Sequence, residues 1–261
     1  MAAAAMSSTA SLGTLEWARE TRGILRRRDR LAFAGQGLLY LLATLPWELR
    51  RVLGIKRRRL ASVDSAALRP PDSAVCREAE QLVAEGTSPM VASHSHRTYA
   101  WGAVLAAHDG LRYDREVVFV ASLLHDLCAE HPDALPYPHC FTLPEAERVE
   151  QLTELAGWEE RRRRAAAEAI TLHANLWRPR DSPESYLVFA GARLDVVGYR
   201  YWDLHSDTVQ AVLERHPRLE LKRRSGPIFE AQADANPGSR MHFMTRYLAA
   251  TWFLRRAPFR E

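Results

Sequence analysis

The run from Val117 to Leu124 is almost wholly apolar, and it ends in His125 and Asp126. A segment of this kind has to enter a core, and it carries an imidazole and a carboxylate in with it. Burying such groups without partners costs several kcal/mol, so something must pair with them. A divalent metal satisfies nitrogen and oxygen donors together. The dipeptide therefore reads as half of a metal site at the end of a buried segment.

The other half is sought at helical spacing. From Ser93 onward, His94, Thr98, Trp101 and Leu105 fall on one helical stripe, which turns His94 inward. His96 lies about 200° round the same helix and faces elsewhere. Ala166, Ile170, His173 and Trp177 share a second stripe, and a third helix over about residues 185–199 sets Asp195 beside Val188, Gly191, Ala192 and Gly198. Four helices thus each turn a ligand-type side chain toward the interior. Taken alone, His173 reads as a core histidine bonded to a backbone carbonyl. Within the set it reads as a catalytic or substrate-facing group. His131, His139, His205, His216 and His242 read as surface or loop residues, with His131 and His139 close enough to the dyad to line a pocket mouth.

With these positions in place the sequence resembles the HD superfamily of metal-dependent hydrolases, whose ligands follow the order His, His-Asp, Asp on an all-helical bundle. The resemblance covers about residues 85–205 and implies His94, His125, Asp126 and Asp195 as the ligands. The text from Ser93 to Tyr99, the Asp114-Arg115-Glu116 lead into Leu123 to Leu127, the stretch Phe141 to Leu152 and the stretch Glu168 to His173 are similar to the cyanamide hydratase branch. That branch implies attack on a nitrile-type carbon to give a urea-like product. Two departures follow the dyad. Ala129 stands in the turn where many members carry Gly and phosphodiesterase branches continue with Lys, which disfavours a phosphodiesterase. Cys128 leaves a thiol near the site, read as a small buried residue.

Two imidazoles and two carboxylates suit one divalent transition metal, with Zn, Fe and Mn the leading choices. A metal held this way keeps open positions for water, whose pKa falls toward about 7 on coordination. Asp126 is the expected proton acceptor, and His173 the expected donor to a developing anion. Arg97, Asn175 and Trp177 are the expected substrate-binding residues. The sequence therefore reads as a hydrolase or hydro-lyase acting on a small polar substrate. A nucleotide or phosphomonoester phosphohydrolase is the alternative, with Arg97, Arg178 and Arg193 as its cations. A non-enzymatic metal-binding regulatory protein is the second alternative.

Composition sets the frame. With 261 residues and 47% hydrophobic content the chain can bury a full core. Its three cysteines (Cys76, Cys128 and Cys140) make no disulfide framework and fit a cytoplasmic protein. Charge is uneven: residues 1–60 hold 12 Lys and Arg against 4 Asp and Glu, net +8, and the other 201 hold 24 against 28, net −4. The apolar stretch Leu31 to Leu45 lies between the basic cluster Arg26 to Arg30 and a second one, Arg50-Arg51 with Lys56 to Arg59. It is short of the roughly 20 residues of a membrane span and lacks a cleavage site. It reads as part of a helical hairpin packed on the bundle, in preference to a helix lying on anionic lipid. No nucleic-acid motif accompanies the arginines.

The expected architecture is all-α, an HD-type helical bundle over residues 73–261 preceded by a basic, partly apolar helical extension and linker over 1–72. Asp114 is the expected N-cap of the dyad helix. The prolines at 132, 136, 138 and 144 mark a loop that serves as lid or pocket wall. Arg215 to Gly238 reads as loop-rich, with a short strand-like run at Leu219 to Lys222, and Met241 to Leu254 as one final amphipathic helix. A small molecule is the expected partner. Peripheral membrane contact and self-association stay open.

Overall fold

The structure is a computed structural model and describes residues 10–53, 68–133, 139–177, 179 and 182–261. The run Lys56 to Arg59, residues 61–67 of the linker, Pro136 and Pro138 of the expected loop, and Arg178 and Arg180 lie outside the described residues. Among the described residues the fold is all-α, with one isolated backbone bridge, Ile24 to Ser239, in place of any strand. The central helices are α3 (Ala74–Gly86), α4 (Pro89–Asp109), α5 (Arg115–Leu124), α6 (Thr142–Leu155), α7 (Glu160–His173) and α8 (Pro183–Val197). In front of them stand α1 (Leu15–Thr21) and α2 (Arg27–Val52), and behind them α9 (Ser206–Arg215), α10 (Leu221–Ala235), α11 (Arg240–Tyr247) and α12 (Ala250–Arg256).

Short polar side chains fix the starts of the site-bearing helices. Ser88 accepts from the Val91 amide ahead of Pro89, Ser182 accepts from the Ser185 amide ahead of Pro183, and Asp114 accepts from the amides of Glu116 and Val117. Helix α5 then runs through the centre of the bundle with every residue from Val117 to Leu124 buried. Each of its Val, Leu and Phe side chains contributes about 1.5–3 kcal/mol relative to exposure. Helices α4 and α8 cross at very close range, and glycine makes this possible. A Cβ built on Gly191 would stand 2.1 Å from the Thr98 carbonyl oxygen, and one on Gly102 would stand 3.1 Å from that of Leu187. This crossing brings the His94 and Asp195 turns together.

The N-terminal pair packs on the same bundle. The Leu15 amide donates to Glu168 on α7 at 2.7 Å, and the Trp17 indole donates to Asp29 at the start of α2. Phe33 meets the ring of Phe243 edge-on, and the Gln36 side chain accepts from the Leu176 amide. The outer face of α2 is exposed through Leu38, Leu39, Leu42, Leu45 and Leu49. No helix of the described residues is long and apolar enough to cross a membrane.

Three sequence expectations are corrected here. Residues 221–235 form α10 although Gly226 and Pro227 lie inside it, because Leu221, Ile228, Phe229 and Ala233 pack inward and hold the helix. The expected strand at Leu219 to Lys222 is the entrance to that helix, with Leu219 and Glu220 in the left-handed region. The expected last helix is two, α11 and α12, broken where Ala249 takes φ 52°.

Candidate metal centre

Three imidazoles meet one carboxylate. His94 comes from the second turn of α4, His125 caps the C-terminus of α5, Asp126 follows in the turn, and His173 ends α7. The Nε2 atoms of His94 and His125 each stand 3.4 Å from Asp126 Oδ2, and His173 Nε2 stands 3.7 Å from Asp126 Oδ1. The ring centroids of His94 and His125 are 5.1 Å apart, and those of His125 and His173 are 4.8 Å apart.

The opposite ring nitrogens fix the tautomers. His125 Nδ1 lies 2.7 Å from the Ser122 carbonyl and His173 Nδ1 lies 2.6 Å from that of Ile170. A carbonyl only accepts, so both Nδ1 atoms carry the proton and both Nε2 atoms present lone pairs when the rings are neutral. His94 Nδ1 lies 2.7 Å from Asp195 Oδ2 and donates to it in the same way. His125 Nε2 is buried and makes no hydrogen bond. His94, His125 and Asp126 offer ligand atoms within 4.8 Å of one another and could hold a metal ion. The fit is chemical as well as spatial: a buried lone pair with no donor is the kind of group a cation satisfies.

The electrostatics agree with this division. Burial pushes the His125 and His173 rings toward the neutral form, His173 down to about 3, so both are unprotonated at neutral pH. Burial alone would raise the Asp126 carboxyl, but His125, His94 and His173 outweigh it and hold it ionised. Burial opposes a charge on His94, and the carboxylates of Asp126 and Asp195 on either side more than offset it.

Asp195 is buried on α8 but stands outside the group formed by His94, His125 and Asp126. The expectation of an inward carboxylate on α8 is right about the face and wrong about the partner. Asp195 sits behind His94, on the Nδ1 side, with both oxygens engaged. Arg97 grips it through Nε and Nη2 at 2.8 Å each, the Trp101 indole donates at 3.1 Å, and Arg218 Nη1 donates at 3.1 Å. Its charge is held well below the ordinary carboxylate range by these cations and by His94, against the upward push of burial. Its role is to fix the tautomer and orientation of His94.

The expected substrate-binding residues are also redirected. Arg97 is fully buried and also donates to Ser93 and to the carbonyls of His216 and Pro217. The Asn175 amide donates to the Leu12 carbonyl, and its Oδ1 accepts from Arg240. Trp177 lines a neighbouring open groove that shares Leu38, Tyr40 and Leu41 with the cavity over the metal centre. Arg193 reaches that cavity, but its guanidinium donates to the Asn175 carbonyl and lies over the rings of Tyr40 and Phe189. His139 is buried and lines no wall of the cavity, and Cys128 lies outside the ligand group.

A cavity of about 540 Å³ opens above the centre, with His94, His125, Asp126 and His173 at its floor. Its walls come from α2, α4, α8, α10, α11 and α12, with Phe141, Ala174 and Leu176 between them. Glu145 is a residue the sequence reading passed over. It is fully buried, accepts from the Cys128 amide at 2.9 Å, and is pushed well up by burial and by the nearby Cys128 and Asp126. Its signal is legible in retrospect, since Thr142, Glu145, Val149 and Thr153 share one buried stripe of α6. No family model matches the chain, and no curated protein matches it either.

Proposed function

We propose that the protein is a divalent-metal-dependent hydrolase or hydro-lyase of the HD type that it resembles, acting with an activated water on an uncharged carbon electrophile such as a nitrile or amide. The observation that carries this reading is the convergence of the His94, His125 and His173 rings on Asp126, with His125 neutral and its Nε2 buried and unbonded. His94, His125 and Asp126 are the residues to hold the metal, which supplies a water of lowered pKa and a Lewis acid.

The chain's own groups do the rest. Asp195, clamped by Arg97 and Arg218, keeps the His94 Nδ1 proton in place and its Nε2 directed at the centre. His173 keeps its Nε2 lone pair at the cavity floor beside Asp126, where it can accept a hydrogen bond from a water or a substrate N–H. A phosphoryl substrate fits less well. Of the three cations expected for such a substrate, Arg97 and Arg193 are committed to Asp195 and to the Asn175 carbonyl, and Arg178 lies outside the described residues.

The test pairs elemental analysis of purified wild type and His125→Ala with turnover assays on cyanamide, small nitriles, amides and phosphomonoesters. Stoichiometric metal that is lost in the variant, with hydration or hydrolysis at carbon, is the expected result. Metal-dependent phosphate release would replace the carbon electrophile with a phosphoester. Absence of metal from folded wild type would remove the proposal altogether.

A further inference from the structure

The cavity over the centre has two chemistries, and the boundary between them is sharp. Its floor is polar: three imidazoles and a carboxylate. Its walls are largely aliphatic and aromatic, with Met90, Val196, Leu221, Ile228 and Phe229 packed together in one cluster and Ala34, Gly37, Leu38 and Leu41 coming from α2. Polar side chains on the wall are few: Tyr40, Tyr247, which is 67% exposed, Ser225, whose hydroxyl points to the Met90 sulfur, and two long ones, Arg193 and Gln232, that are engaged elsewhere. Arg193 donates to the Asn175 carbonyl, and Gln232 donates to the carbonyls of Cys128 and Ala129 while its own oxygen accepts from Asn236.

The mouth continues the same chemistry. Leu38 and Leu41 line the cavity and are 58% and 43% exposed, so apolar surface runs unbroken from the interior onto the outer face of α2. A volume of 540 Å³ is far more than a cyanamide-sized molecule fills and lies in the range of drug-sized ligands. A fully polar substrate of that size would lose its hydration to walls that return few hydrogen bonds.

We infer that the site takes an amphiphile, with a small uncharged polar head reaching the His94, His125 and Asp126 floor and an aliphatic chain lying along the α10 and α2 walls toward Leu38. The inference rests on the metal reading above and assigns the substrate class of that same site. Each methylene moved from water onto such walls is worth about a factor of four in affinity.

The experiment titrates zinc-loaded protein with straight-chain hydroxamates from acetohydroxamate to decanohydroxamate by calorimetry. The metal-free protein and His125→Gln are titrated with the same hydroxamates and with 1-hexanol and 1-octanol. Affinity rising about fourfold per methylene across the middle of the series, and a flattened series in Ile228→Trp and in Leu38→Asp, is the expected result. Equal affinity for acetohydroxamate and octanohydroxamate would overturn the amphiphile while leaving the metal centre standing. Chain-dependent alcohol binding with no hydroxamate preference for the zinc-loaded form would instead remove the metal reading and keep the apolar chain site. The two variants lie on different helices, and the wild-type series decides the question even if one of them does not fold.

Discussion

Asp195 offers the most informative single perturbation, because replacing it with Asn preserves its shape and removes its charge. The carboxylate has zero exposure, as does Arg97, and the Arg218 side chain is 1% exposed. Without the negative charge Arg218 keeps Glu261 at 3.0 Å, whereas Arg97 keeps neutral acceptors alone: the Ser93 hydroxyl, two backbone carbonyls and the one amide oxygen of the new side chain. Removing one partner of a buried ion pair costs about 3–5 kcal/mol, against a total stability of about 5–15 kcal/mol for a typical domain. Urea unfolding of the metal-free protein, followed by circular dichroism, should therefore show Asp195→Asn destabilised by about 3–5 kcal/mol. Arg97→Met combined with Asp195→Leu should recover at least about 2 kcal/mol of the summed single losses. In the metal-loaded protein the same Asn substitution should weaken metal affinity by about 10–100-fold through the freed His94 ring. Unchanged stability of metal-free Asp195→Asn together with complete loss of metal would refute the reasoning and return Asp195 to the ligand set.

Three further outcomes are expected. Gly191→Ala places a methyl group 2.1 Å from the Thr98 carbonyl oxygen, so α4 and α8 must separate; a loss of at least about 1–3 kcal/mol in denaturant unfolding is expected, and a neutral effect would show the crossing to be looser than described. His216 stacks on His96 at 4.9 Å, and burial together with His96, Arg215 and Arg97 holds it down to about 4, from 6.5. Its stabilising contribution is present above pH 6.5 and is lost as pH falls toward 4, so the melting temperature should drop across that window and His216→Gln should reduce the drop. Glu145→Gln keeps the acceptor for the Cys128 amide and removes the need to hold a buried carboxyl protonated. Its stability at pH 8 should match or exceed wild type, and a loss above about 2 kcal/mol would mean that Glu145 is charged and paired.

The dyad helix and its neighbours were legible because several levels of the sequence agree there. Asp114, Ser88 and Ser182 cap helices whose apolar stripes point the same way as the buried faces. The inward facing of His94, His173 and Asp195 follows from helical spacing alone. What spacing cannot supply is the partner across an interface: the stripe that buries Asp195 is the same whether it meets a metal or Arg97 and Arg218, and Arg218 lies in a stretch that carries no helical signal. Arg97 itself sits three residues from His94 and looks like a pocket cation until its bidentate grip on α8 is seen. Helix α10 was hidden because Gly226 and Pro227 are local breakers, and only packing of its apolar side chains against the bundle overrides them. The break at Ala249 has neither Gly nor Pro to announce it. The cavity walls depend on these same C-terminal elements, which is why a small polar substrate was the natural expectation from sequence and an apolar chain the one from structure.

The central claim is that His94, His125 and Asp126 form one metal centre, with Asp195 acting behind it. Calorimetric titration of the chelator-treated protein with zinc tests it most directly. The account predicts one equivalent bound by wild type, none by His94→Gln or His125→Gln at unchanged helicity, and one by Asp195→Asn at weakened affinity. Folded wild type that takes up no zinc, or a His125→Gln variant that binds as wild type does, would contradict it.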